Sequence, residues 1–377
     1  MKVLYDSTCF SQEYGGVSRY YCEMTRRLPE GIKAVIPLKQ TVNRYLQAEP
    51  FFVPRMKGSV HDFVRERLHG WYMPGVSCLH RVLSFISPKM FPSGERINRQ
   101  AIEQAVAGGD YDLYHVTGPN YYDKLWKKVK ARKPIVVTVH DLIFDKIMKD
   151  RRVIRGRRGL LGTADAIIAV SEFTKNEIVE FYGVRPDKIF VVHHGITFKV
   201  EAPVGDKGFL LYVGQRRGYK NWEWFVRAVA PLMIESGLRL VCTGNAFATK
   251  EERLLKSLGI RELSTAQFVA DKDMPRLYAE ATAFVYPSEC EGFGLPILDA
   301  WACGCPVVLS RSSCFPEIAR GAASYFDLGD ENGLREAIRQ VQGEFRAAWA
   351  KKGFAELTRF SWEQCAMLTA EVYKSVV

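Results

Sequence analysis

Short runs of β-branched and apolar residues recur along the 377-residue chain, each followed by a polar turn and then by a stretch whose apolar positions return every three or four residues. That rhythm belongs to βαβ units and predicts parallel sheets with helices on both faces. In the first half strands are expected at KVLYDST, IKAVIPL, YDLYHVT, PIVVTVHDL, ADAIIAV and KIFVVHHG. The second half restarts at GFLLYVGQ and continues through LRLVCTG, AQFVA, TAFVYPS and PVVLS, with helices at NWEWFVRAVAPLMIESG and LREAIRQVQ. The segment FKVEAPVGDK, residues 198–207, lacks periodicity and carries Pro203 and Gly205 between two strong strand patterns, so the chain is expected to divide there. The length exceeds one ordinary core and suits two. The expected fold is therefore α/β, with two doubly wound Rossmann-like domains over residues 1–200 and 201–360. Ligands of open α/β sheets sit at the carboxyl ends of the strands, so the two domains are expected to face a shared cleft.

Residues 50–100 interrupt the rhythm. RMKGSVHDFVRERLHGWYMPGVSCLHRVLSFISPKMF mixes basic residues with Trp71, Tyr72, Phe85, Ile86 and Phe91 and reads as an insertion. With KDRRVIRGRR at 149–158 it suits either a membrane surface or an acceptor grip; the alternative is a helical hairpin packed on the core. Charge sharpens the first reading. The chain carries +11 overall, with 32 Lys+Arg against 20 Asp+Glu in residues 1–200 and 21 against 22 in the rest. The basic half is expected to meet something anionic, a phospholipid surface or a lipid diphosphate before nucleic acid, unless it is simply a solvated face. No stretch reaches the roughly 18 apolar residues of a spanning helix, and the start is neither leader nor anchor. Nine cysteines without paired spacing suit a reducing compartment. The expected location is the cytoplasm, peripheral on the inner face of the plasma membrane if the basic half binds lipid.

The most informative segment is PSECEGFGLPILDAWACGCPVV, residues 287–308. A strand end, Gly292 and Gly294, and a helix starting near Leu295 present N–H donors and a positive dipole end to an anion, for which a diphosphate is the natural guest. Glu291 and Asp299 flank the turn, and a carboxylate can hold two adjacent hydroxyls of a ribose or hexose. This segment resembles the acidic signature of glycosyltransferase family 4, Glu, seven residues, Glu, and Glu291-Gly292-Phe293-Gly294-Leu295-Pro296 matches it in full. The resemblance implies the GT-B fold, donor-sugar contact for Glu291, diphosphate contact along Gly292, Phe293, Gly294 and Leu295, and ribose contact for Asp299. Asp299 is one methylene shorter than the family's second Glu.

Other segments extend the resemblance. In LLYVGQRRGYKN, Arg216, Arg217 and Lys220 follow Gly214, where the family binds diphosphate; Gln215 stands where many relatives have Arg, so Lys220 and either Arg216 or Arg217 inherit that role. Gly15-Gly16, before the first helix, matches the family loop over the donor phosphates. His140 at the end of PIVVTVHDL matches the family histidine against the donor sugar and is paired with Glu291 as catalytic. Asp141 and His115 are candidates for orienting or acceptor contacts, and His193-His194-Gly195 also ends a strand. Ser171 precedes a helix and suits its N-cap. FSWEQCAMLTAEVYKSVV, residues 360–377, resembles the family's terminal helix that crosses back to the first domain, with Trp362 and Tyr373 as packing anchors.

The resemblance implies a retaining hexosyl transfer from a nucleotide-diphosphate sugar, with no cofactor and no metal. VHDLIFD and VGQRRGYKN are similar to bacterial mannosyl- and rhamnosyltransferases of surface-polysaccharide assembly, which points to GDP-mannose and to a glycan or lipid-linked glycan acceptor. A hydrolase would not need the basic diphosphate site. The competing readings are a sugar-nucleotide epimerase and a non-catalytic sugar-nucleotide-binding subunit.

Overall fold

The computed structural model describes residues 1–6, 8–10, 13–39, 41, 43–48, 94–118, 125–130, 133–198 and 205–377. The aromatic and basic run at 55–91 and most of the expected join lie outside the described residues.

Two parallel six-stranded sheets carry the chain. The first contains β1 (Lys2–Tyr5), β2 (Lys33–Val35), β3 (Leu113–Val116), β4 (Ile135–Val139), β5 (Ala166–Ala169) and β6 (Ile189–Val191) in the order β2-β1-β3-β4-β5-β6. The second contains β7 (Phe209–Tyr212), β8 (Arg239–Thr243), β9 (Ser264–Gln267), β10 (Ala283–Tyr286), β11 (Val307–Ser310) and β12 (Ser324–Phe326) in the order β12-β11-β10-β7-β8-β9. All eleven expected strands appear, and Ser324–Phe326 is a twelfth that periodicity could not reveal, being three residues long. β3, β4, β5, β7, β10 and β11 are buried along their whole length, as strands covered by helices on both faces must be.

Strand order locates the crevices. The first sheet reverses direction between β1 and β3, and the second between β7 and β10. At such a switch point the two crossover helices leave on opposite faces and the strand ends open onto a gap. The β7 and β10 ends lead into the Lys220 and Glu291 loops; the β1 end leads toward helix α1 (Gly16–Arg26).

Each domain has its own apolar cluster, and a third is shared. That shared cluster joins Tyr5, Tyr20 and Val136 of the first sheet's layers to Leu211, Trp301 and Phe360 of the second. Helices α2 (Ile143–Lys146), α3 (Arg151–Thr163) and α4 (Glu172–Tyr182) follow β4 and β5; α5 (Leu295–Ala302) and α6 (Phe315–Ala319) follow β10 and β11. Ser171 caps α4, its Oγ accepting from the Thr174 N–H at 3.1 Å.

The last helix, α7 (Trp362–Val376), returns to the first domain. The Tyr373 and Tyr5 hydroxyls lie 2.6 Å apart, and Trp362 Nε1 donates to Thr197 Oγ1 at 3.1 Å. Gly195 permits this docking, because a Cβ there would stand 2.1 Å from the Trp362 nitrogen and 2.5 Å from its Cγ. Neither atom is the free end of a flexible chain. Gly195→Ala should therefore destabilise the protein by roughly 1–3 kcal/mol, the usual cost of overpacking, read as a lower urea midpoint; an unchanged midpoint would show that α7 docks loosely.

Candidate active site

Four segments meet where the two switch points face each other. Gly294 has φ +87°, a left-handed conformation suited to glycine, and turns the β10 loop into α5, with Pro296 in the helix's first turn. Gly292, expected to let a phosphate approach, also lets the two domains approach. A Cβ at Gly292 would fall 1.5 Å from the His140 carbonyl oxygen, so backbone meets backbone across the domain boundary. The Ser171 hydroxyl donates to the Gly292 carbonyl at 2.7 Å, fixing the acidic loop from the first domain. Gly15 and Gly16 start α1, and a Cβ on Gly16 would lie 3.7 Å from Leu295 Cδ1. The N-termini of α1 and α5, each the positive end of a helix dipole, thus approach one another.

Lys220 Nζ pairs with Glu291 and lies 3.1 Å from the Tyr286 hydroxyl. Their side chains are 13% and 12% exposed, reachable from the gap but well shielded. The ammonium also sits 5.0 Å from the Tyr286 ring centroid and 5.2 Å from that of Tyr219. Glu291 is anchored by its N–H, which donates to Ser313 Oγ at 3.2 Å.

His140 lies one residue beyond β4 with a buried Nε2 that has no hydrogen-bond partner. Burial, with the Arg157 charge adding to it, pushes its imidazole down to about 3, so the ring is neutral. Asp141 is raised by burial, while Arg157 opposes the shift, and its Oδ1 accepts from the Ile143 N–H at 3.0 Å. Arg157, itself buried against Asp145, donates to the Asp141 carbonyl at 2.8 Å and braces this strand end.

Several expected site residues are engaged elsewhere. His115 is inside β3, fully buried, with Nδ1 2.6 Å from Tyr373 Oη and Nε2 2.8 Å from Thr138 Oγ1; both ring nitrogens are used, so it holds α7 rather than an acceptor. Arg216 bonds Glu251 through Nε and Nη2, and its Nη2 also donates to the carbonyls of Asn245 and Ala246. Arg217 is the exposed arginine of that loop. The Phe293 side chain is buried 4.3 Å from the His194 ring, with Phe360 beyond, leaving only its backbone for an anion. Asp299, expected at the ribose, bonds Arg19 with both carboxylate oxygens, at 2.8 Å each. Burial lowers and the Asp299 charge raises the Arg19 pKa, and the net shift is upward.

Arg19 is a site residue that sequence reading missed. It also donates to Thr197 Oγ1 at 3.0 Å, and its guanidinium lies 4.8 Å from the Phe198 ring centroid. A cavity of about 350 Å³ opens beside it between the domains, lined by Tyr14, Arg44 and Tyr45 on one side and Ala270, Asp271 and Lys272 on the other. Glu317 was missed too. From α6 its two oxygens accept from the Glu172 and Phe173 N–H groups at 2.9 Å each, capping α4 across the boundary, and His193 Nε2 lies 3.0 Å from it. The signal available was Glu317 beside a proline in a helix's first turn, which identifies no partner.

Family profiles cover this whole arrangement. "Glycosyltransferase Family 4" matches residues 14–199 and "Glycosyl transferases group 1" matches residues 207–343. The O-antigen chain mannosyltransferase B of Escherichia coli is 32% identical over 303 residues, 72% of this chain and 77% of that one. The chain belongs to glycosyltransferase family 4. The O-antigen chain mannosyltransferase RfbU of Salmonella typhimurium is 28% identical over 178 residues, 47% of this chain and 50% of that one. The crystal structure of Anabaena Alr3699/HepE in complex with UDP and glucose superposes with a TM-score of 0.71 over 99% of both chains at 16% identity, which places this family 4 chain in the GT-B fold.

Buried His115 and His194, with half-buried His140, give this glycosyltransferase an acid limit. Burial lowers His115 and His140 to about 3 and His194 well below its usual 6.5, and neighbouring histidines and arginines add to the effect. The unfolded chain binds these protons near pH 6.5 and the folded chain does not, so stability falls as pH drops from about 6.5 toward 3. Asp6, Asp141 and Asp299, raised by burial, act in the opposite direction. His194 makes ring contacts alone. His194→Phe should flatten the decline in urea stability between pH 6.5 and 5; an unchanged slope would show that His194 is protonated in the fold.

Proposed function

We propose that this glycosyltransferase moves a mannosyl residue from GDP-mannose, with retention, to a glycan or lipid-linked glycan acceptor of a bacterial surface polysaccharide. The observation that carries the reading is the Lys220–Glu291 pair standing where the N-termini of α1 and α5 converge. A diphosphate suits the helix ends and Lys220, and a hexose beside it suits Glu291. Mannose as donor sugar is supported by two relatives, both O-antigen chain mannosyltransferases.

The reaction breaks the bond from the sugar's anomeric carbon to the diphosphate oxygen and forms one to the acceptor oxygen on the same face. The departing diphosphate takes the acceptor's proton. Lys220 and the helix ends meet charge growing on the leaving group, a role in which one well-placed donor is worth about 10²–10³ in rate. Exposed Arg217, rather than Arg216, is free to swing to the same phosphates. Glu291 accepts from a sugar hydroxyl, and neutral His140, its Nε2 unpaired and buried, supplies a hydrogen bond without a competing charge. The neutralising charge is supplied by Lys220 and helix dipoles, so no metal is needed.

Transfer with an O-antigen-type acceptor, read by the anomeric configuration of the product in NMR, tests this. GDP-mannose should give an α-linked product in the presence of EDTA. Lys220→Ala and Glu291→Gln should each lower kcat/KM by about 10²–10³. An inverted product, isomerised free donor or unaffected variants would refute the assignment.

A further inference from the structure

Near the start of α1, Arg19 carries its charge into the boundary between the domains: its side chain is 11% exposed and that of Asp299 is 6% exposed. Arginine is seldom buried without full pairing. Here Nη1 and Nη2 donate one bond to each Asp299 oxygen, Nε donates to Thr197 Oγ1, and the Phe198 ring lies against the guanidinium. Thr197 Oγ1 in turn accepts from Trp362 Nε1. One side chain of the first domain thus ties together α5 of the second domain, the residues that follow β6, and the returning α7.

Stability does not account for this arrangement. Desolvating two charges costs about as much as their attraction returns, so a buried pair adds little net free energy. A two-bond fork fixes direction instead, because its parallel bonds align the guanidinium with the carboxylate. Asp299 gains from being held: its side chain is one methylene shorter than a glutamate, and burial pushes its carboxyl upward, a shift that the Arg19 charge opposes. Each oxygen in the fork keeps a second lone pair, so the carboxylate still has room for two adjacent hydroxyls.

We propose that Arg19 is a positioning residue for the donor nucleotide, holding the Asp299 carboxylate in the orientation that accepts the two ribose hydroxyls. This role rests on the transferase reading, and within it on Asp299 standing at the ribose. Because the fork spans the boundary, ribose recognition is complete only when the two domains meet. Linkage then works both ways: closure raises nucleotide affinity, and a bound nucleotide favours closure by the same factor.

Isothermal titration of the full chain tests this role with GDP, or with UDP if wild type binds that instead, against the 2′,3′-dideoxy form of the same diphosphate. Wild type should prefer the natural nucleotide about tenfold or more, the worth of hydrogen bonds to a charged group. Arg19→Met should keep wild-type circular dichroism and its affinity for the dideoxy form, yet lose most of that preference. Asp299→Ala should lose it as well, and Arg19→Met/Asp299→Ala should lose no more than either alone. Arg19→Lys, which offers a point charge in place of a planar fork, should restore part of it. Thr197→Val removes the Nε bond, leaves the fork and should keep the preference; if Arg19→Met does not fold, Arg19→Lys against Thr197→Val decides by the same ratio. An unchanged preference in Arg19→Met, or equal weakening toward both nucleotides, would reduce Arg19 to an interdomain clasp and overturn the proposal. So would a loss in Thr197→Val as large as that in Arg19→Met. Wild type that binds both forms equally would remove the ribose from Asp299 and overturn this role alone, whereas wild type that binds neither diphosphate would refute the transferase reading and this role with it.

Discussion

The approach of Gly292 to the His140 carbonyl is the contact on which the site depends. It brings the acidic loop of one domain against the strand end of the other with no side chain between them, at a distance that any Cβ would prevent. The Glu291 loop and His140 are therefore neighbours although they lie on different sheets. Around the contact, the boundary is held by polar links that each satisfy a group otherwise left bare: Ser171 on the Gly292 carbonyl, Glu317 on the N–H groups of α4, and Asp299 on Arg19. Buried polar groups cost free energy unless paired, so each link favours the closed arrangement over partial separation.

The same boundary explains why the histidines are neutral. His140 and His194 are surrounded by Tyr20, Phe293 and Trp362, aromatic surfaces drawn from both domains. Desolvation of this kind penalises an imidazolium and leaves a neutral ring that can donate and accept hydrogen bonds. Positive charge is supplied instead by Lys220, which is paired with Glu291.

The fold, and the loops that carry Glu291 and Lys220, are legible in the sequence because their signals are local. The strand runs, the glycines around Glu291 and the spacing from Gly214 to Lys220 each lie within a few residues. What sequence could not reveal lies in pairings over long separations. Nothing near Asp299 announces that Arg19, 280 residues away, takes both its oxygens, and nothing near Glu317 points to α4. Adjacent residues posed the opposite difficulty: Arg216 and Arg217 are equivalent in sequence, and only the turn sends Arg216 to Glu251. His115 and His140 both close apolar runs, yet β3 extends past His115 and encloses it, while β4 stops before His140.

The most direct test of the account is the melting temperature of wild type and Gly292→Ala with and without GDP, UDP, dTDP or ADP. A ligand held by the closed fold at about 100 times its Kd adds about 2.7 kcal/mol of stability. The account predicts that GDP raises the wild-type midpoint and that Gly292→Ala, still folded, loses the rise because its loop no longer meets His140. A rise of equal size in Gly292→Ala, or none with any nucleotide in wild type, would contradict it.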